Sequence, residues 1–123
     1  MNYVWIALGA IAGASARYFL SSYITRSIAA SFPYGTLLIN VSGSLLLGFF
    51  LIFSGERVLV DPRWRLLVAI GFCGSYTTFS SYAFETFASM EQGQWLVMAA
   101  NVVANNALCL AAVLAGAAIA RWL

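Results

Sequence analysis

Apolar residues along this chain fall into four long blocks, and the polar residues inside them recur at helical rather than alternating spacing. The first block covers about residues 3–22 and carries Gly9, Gly13 and Arg17, four apart. The second covers 35–54 and carries Asn40, Ser44 and Gly48 at the same interval. The fourth covers 95–119, with Asn101, Asn105 and Cys109 in register and Asn106 beside them. Residues four apart share one helix face, so each block predicts a helix with a polar or small-residue stripe toward protein and Leu, Ile and Phe toward lipid.

The third block, 66–87, behaves differently. Its middle reads Gly71-Phe-Cys-Gly74-Ser-Tyr-Thr-Thr-Phe79-Ser-Ser-Tyr82, with Ser75, Thr77, Thr78, Ser80 and Ser81 in close succession. Lipid offers no hydrogen bonds, so backbone unwound at membrane depth persists only within protein or beside a polar cavity. Discontinuous helices near the midplane are where transport proteins place ions. The pattern predicts a helix broken at its centre, with a functional reason for the break.

The connectors are short. Pro33 cannot continue a helix and sets the start of the second span. The linker over 55–65 holds Glu56, Arg57, Asp61, Pro62, Arg63 and Arg65, and a polar turn lies near Met90–Gln94. Trp64, Trp95 and Trp122 stand at segment ends, where an amphipathic ring prefers the interface. Four spans put both termini on one side with Arg57, Arg63, Arg65 and Arg121, against Arg26 and Arg17 toward the other. The positive-inside rule leans to cytoplasmic termini, but so small a bias is compatible with insertion in both orientations.

Composition agrees. Hydrophobic residues make up 63% and charged residues 8% of 123 residues. A span needs roughly 20 apolar residues, so four spans leave no room for a soluble domain, and residues 1–123 are expected to form a single transmembrane domain. The first block contains Arg17 and lacks a cleavage pattern, and reads as a span rather than a removable signal. Cys73 and Cys109 lie inside apolar blocks and read as reduced thiols. With no histidine and no lysine the chain lacks the commonest proton relay and Schiff-base nucleophile, which argues against an enzyme. A net charge of +2 is too small for a nucleic-acid binder.

Several residues carry two readings each. Asn40, Asn101 and Asn105 are interhelical glue or anion ligands, since an amide NH₂ offers two donors. Phe79 and Tyr82, three apart, are packing or a pair of ring edges that solvate an anion with partial positive charge. Glu85 is the one carboxylate well inside a span, a structural or gating partner. Arg17 is half of an ion pair or a charge at a pore mouth. Carbonyls freed near Gly74 and Thr77 suit a hard cation such as sodium, or are re-satisfied by hydroxyls in a kink.

Gly13-Ala-Ser-Ala-Arg17-Tyr18, Phe32-Pro-Tyr-Gly-Thr-Leu-Leu-Ile-Asn40-Val-Ser-Gly43, and the third-block run through Tyr82 with Glu85 resemble the CrcB/Fluc fluoride channel family, in order and over the whole chain. The resemblance implies an all-α membrane protein of four transmembrane helices, the third broken at the midplane, forming an antiparallel, dual-topology homodimer with two pores. It implies passive export of fluoride from the cytoplasm across a bacterial inner membrane. It also implies a structural sodium ion at the dimer centre, held by the backbone carbonyls of Gly74 and Thr77. Asn40 matches the second-helix pore asparagine, Phe79 the first pore phenylalanine, Ser80 the hydroxyl beside it, and Arg17 the first-helix arginine.

The chain departs from that pattern at two places. Tyr82 stands where the second pore phenylalanine is usual, and Cys109 and Val113 stand where helix four usually carries hydroxyls, leaving Asn105 or Asn106 as substitutes. The departures also keep open a heteromeric partner from the same family. A small multidrug-type exporter, of similar length, needs a carboxylate in the first span, and this one has none. A non-transporting subunit would account for the small-residue stripes and asparagines but not for a hydroxyl-rich break.

Overall fold

A computed structural model describes residues 1–123, and it is helical throughout, without strands. Helix α1 (Asn2–Ser27) ends where Ile28 turns to extended backbone ahead of Pro33. Helix α2 (Tyr34–Ile52) continues through a widened π turn, Phe53–Arg57. Helix α3 occupies residues 62–76: a capped first turn (Pro62–Trp64), a π-helical stretch (Arg65–Cys73) and a final turn (Gly74–Tyr76). Helix α4 is Phe79–Glu91 and helix α5 is Trp95–Trp122.

The four expected segments are all present, with adjusted ends. The linker before α3 shrinks because Asp61 starts the helix early: its carboxylate accepts the Arg63 amide at 2.9 Å and Pro62 fills the first helical position. Gly93, at φ 69°, makes the left-handed turn between α4 and α5. Three helical stretches are long and apolar enough to cross a membrane, Asn2–Ser27, Tyr34–Arg57 and Trp95–Trp122. The third apolar segment is composite, α3 plus α4, parted at Thr77 and Thr78.

That break is narrower than the sequence pattern suggests. Gly71 and Gly74 both stay helical, and only Thr77 (ψ 157°) and Thr78 (φ −150°) are extended. Gly71 is a packing residue: a Cβ there would come within 2.6 Å of the Ile6 carbonyl oxygen. The Gly9–Gly13 stripe meets the same region from the other side, since a Cβ on either glycine would overlap the carbonyls of Leu67 or Phe72. Thus α1 and α3 pack backbone against backbone, the small-residue mode of lipid-embedded helices. Helices α2 and α5 form the second extensive contact, seated by Gly48 against Val113 and Gly116 against Leu45.

Charge gathers as expected at the end that holds both termini. Arg121 forms a two-pronged pair with Glu56 (3.0 and 3.1 Å), and the Arg63 guanidinium lies 5.9 Å from the Trp5 ring centroid. Both contacts are at the surface and contribute little to stability. They fasten α5 to the end of α2, and α3 to the start of α1.

Candidate ion pathway

The extended pair at Thr77–Thr78 takes the amide and the carbonyl of Thr78 out of helical bonding, and frees carbonyls of the preceding turn. Asn40, on α2, replaces both bonds for Thr78. Its Oδ1 accepts the Thr78 amide at 2.8 Å, and its Nδ2 donates to the Thr78 carbonyl at 3.0 Å. One side-chain amide thereby pairs with a peptide unit as a neighbouring strand would. Buried backbone groups left unpaired are costly, so this pairing is what lets the break exist inside the bundle. Thr78 then caps α4, its Oγ1 accepting the Ser81 amide at 3.2 Å.

The Asn40 amide starts a buried chain. Its Nδ2 also donates to Asn105 Oδ1 at 3.2 Å; Asn105 donates to Asn101 Oδ1 at 2.7 Å; Asn101 donates to Thr86 Oγ1 at 3.0 Å. Asn101 is fully buried and Asn105 nearly so. The i, i+4 stripes read from the sequence on α2 and α5 therefore meet, and their amides bond across helices.

Beside this chain lies a cleft of about 410 Å³, open at the surface of the chain. Asn40, Thr77, Phe79 and Tyr82 line it, together with Ser44, Asn105, Asn106 and Cys109. None of its lining residues is Asp, Glu, Lys or Arg. The rings of Phe79 and Tyr82 stand edge to face, 5.3 Å between centroids. Phe79 is 77% exposed, whereas Tyr82 is buried and its hydroxyl accepts from Asn106 Nδ2 at 3.2 Å. Ser80 is exposed next to the cleft, with its hydroxyl 3.3 Å from Thr78 Oγ1.

The remaining predicted residues sit around the break. Arg17 Nη1 approaches the Thr77 carbonyl at 3.4 Å, a long and weak hydrogen bond. Gly74 is exposed, and its carbonyl loses its usual partner because the Thr78 amide turns to Asn40. Gly74 and Thr77 thus offer neutral oxygen donors, chemistry that fits a hard monovalent cation. No group of three His, Cys, Asp or Glu side chains converges anywhere in the chain, so a transition-metal site finds no ligand set. Glu85 lies apart from the cleft. The Thr36 hydroxyl donates to its Oε1 at 2.6 Å, and its buried Oε2 has no partner, beside a cavity of about 120 Å³ under the α1–α2 connector. No arginine reaches Glu85.

Two pairings escape sequence reasoning. Thr36 lies one helical turn before Asn40 on the same face, yet nothing in its local spacing pairs it with Glu85, 49 residues on. Asn106 reads from spacing as facing away from the α5 stripe, yet it holds Tyr82, a contact 24 residues apart that no local pattern encodes.

The family model described as "CrcB-like protein, Camphor Resistance (CrcB)" matches residues 4–117. A protein named fluoride-specific ion channel FluC from Koribacter versatilis is 60% identical over 120 residues, covering 98% of this chain and 95% of its own length. The protein of the same name from Solibacter usitatus is 44% identical over 121 residues, covering 98% and 99% respectively. One from Coxiella burnetii is 45% identical across the full length of both chains.

The Asn40 cap predicts a specific loss. Asn40→Ala leaves the Thr78 amide and carbonyl unpaired, each costing about 1–3 kcal/mol. Hydrogen exchange at the Thr78 amide is expected to accelerate sharply, with a lower melting temperature in detergent. Asn40→Asp keeps an acceptor for the Thr78 amide but sets an oxygen against the Thr78 carbonyl and Asn105 Oδ1, so it is expected to protect less than asparagine. Unchanged exchange in the alanine variant would remove Asn40 from this role.

Proposed function

Because this chain belongs to the CrcB family, we propose that it is a fluoride-selective ion channel that lets fluoride leave the cytoplasm passively across a bacterial inner membrane. The observation that carries this reading is the cleft beside the break, polar and aromatic but free of formal charge. Fluoride is small and strongly hydrated, so passing it requires a crowded set of groups that replace water. Neutral hydroxyls, amide dipoles and ring edges do this without a cation that would hold the ion, and weak, multiple sites are what conduction demands. The chain's curated relatives carry the corresponding name.

Phe79 has the central part in this reading. Its ring is exposed in the single chain, stands against Tyr82 and lines the cleft, where its edge would meet an ion. Tyr82 continues the aromatic wall, Asn40 fixes the break that positions Phe79, and Ser80 adds a hydroxyl at the same level. Arg17 and Glu85 stand outside the cleft lining: Arg17 leans toward the Thr77 carbonyl, and Glu85 is tied to Thr36. Both serve the pathway from a distance, as structural or mouth charges.

The assembly in this reading is a homodimer of oppositely oriented copies with two pores. An open cleft, an exposed Phe79 and an exposed Gly74 on one chain support it, since each is a surface that a second copy would complete. Gly74 and Thr77 would hold a sodium ion through their carbonyls, with the second copy supplying the same pair. Sodium there supplies a fixed positive charge near the low-dielectric midplane and is not transported.

Reconstituted in liposomes, the protein is expected to release fluoride down its gradient while retaining chloride, and Phe79→Ile is expected to stop or severely slow that release without dissociating the assembly. Equal leakage of both halides would refute selectivity, and wild-type flux in Phe79→Ile would reduce the ring to packing. One-sided labelling of single cysteines in intact cells should detect both orientations; a single orientation would require a partner chain. Exchange of sodium for a bulky organic cation throughout purification should lower the melting temperature, and re-addition should restore it. Insensitivity to this exchange would exclude the sodium site.

A further inference from the structure

Most donors around the cleft are already committed. Asn40 spends its amide hydrogens on the Thr78 carbonyl and Asn105 Oδ1, and Asn105 donates only to Asn101. The Thr77 hydroxyl donates to the Cys73 carbonyl at 2.9 Å, and the Thr78 hydroxyl to Ser81. Asn106 donates to the Val102 carbonyl at 2.8 Å and to the Tyr82 hydroxyl. Of the lining hydroxyls, Ser44 makes no hydrogen bond within the chain, and Tyr82 accepts one and donates none.

The direction of the Tyr82–Asn106 bond follows from geometry. Asn106 faces the Val102 carbonyl, an acceptor only, which fixes the NH₂ end of the amide on that side. The same NH₂ faces the phenol, so the phenol oxygen must accept. Its own hydrogen is left without an acceptor on a side chain that is only 9% exposed and lines the cleft. A phenol hydrogen that faces the cleft with no acceptor in the chain is free for an anion that enters it. Elsewhere in the lining, Cys109 offers only a weak thiol donor and Val113 none.

We propose that the Tyr82 hydroxyl, oriented by Asn106, donates a hydrogen bond to fluoride in the cleft, and that this phenol sets the chain's fluoride affinity. The inference rests on the channel reading above and deepens it. A phenol is a stronger donor than an aliphatic hydroxyl, and fluoride is the strongest acceptor among the halides. The proton stays on oxygen throughout, because fluoride is too weak a base to remove it. A charge-assisted bond of this kind is roughly twice as strong as a neutral one, and fluoride, smaller and a stronger acceptor than chloride, gains more from it. Asn106 acts as a positioning residue: accepting its N–H polarises the phenol and aims the remaining hydrogen away from α5.

The test is the dependence of flux on fluoride concentration in liposomes holding the intact assembly. Tyr82→Phe keeps the ring and its contact with Phe79 and deletes only the donor. Half-saturating fluoride is expected to rise about tenfold, equivalent to about 1.4 kcal/mol. Asn106→Leu should shift the curve in the same direction by less, and should add nothing in the Tyr82→Phe background, as coupled residues do. Superimposable curves for wild type and Tyr82→Phe would overturn the proposal, as would an Asn106→Leu shift that persists undiminished without the phenol. If Asn106→Leu does not fold, Tyr82→Phe alone decides. A wild type impermeable to fluoride, or equally permeable to chloride, would overturn the channel reading and this inference together. A selective wild type with an indifferent Tyr82→Phe overturns the phenol alone.

Discussion

One side-chain amide makes the rest of this structure tenable. Asn40 pairs with both the N–H and the C=O of Thr78, where the chain leaves helical geometry between α3 and α4. In water, solvent would satisfy those groups. In hydrocarbon nothing else can, and an unwound turn without Asn40 would be driven back toward helix or toward the surface. The amide is itself held by Asn105, which Asn101 holds in turn, and Asn101 reaches Thr86 on α4. The network therefore ties α2 to α5 and both to the half-helix after the break. Because every amide in it is bonded, it fixes one arrangement of the helices rather than several.

That economy has a consequence for the proposed pathway. A fully bonded asparagine is a poor ion ligand, and Asn40 in this single-chain geometry has no amide hydrogen to spare. In the proposed pathway its part is to hold the backbone that presents Phe79, which leaves ring edges and uncommitted hydroxyls to meet the ion. The separation is physically sensible. Groups that hold a discontinuous helix in place must stay bonded during each passage, whereas groups that solvate a moving ion must release it quickly.

Formal charge is kept at arm's length in the same spirit. Arg17 leans on a carbonyl at the break, and Glu85 is capped by a threonine beneath the α1–α2 connector. Neither lines the cleft. A guanidinium on the path would bind a small anion too tightly to let it go, and a carboxylate would repel it. Neutral dipoles at close range give attraction that is strong enough to replace water and divided among several partners.

The sequence by itself determined the helices, their stripes and the presence of a break. Those features follow from local rules: apolar length, four-residue spacing, and the crowding of glycine and hydroxyl residues between Gly71 and Tyr82. It also marked Asn40, because an amide that is costly in lipid stands out against an apolar background, and Phe79 with Tyr82, because they share a helix face directly after the hydroxyl cluster. It did not place the break at Thr77–Thr78 rather than at the glycines, since Gly71 is reserved for contact with α1 and Gly74 has no steric reason to unwind. Nor did it pair Asn106 with Tyr82, or Thr36 with Glu85, because each pair joins different helices and depends on their rotation and depth. Which donors are spent and which remain free is a property of that tertiary arrangement alone: a hydrogen can be given once, and only the folded chain decides to whom.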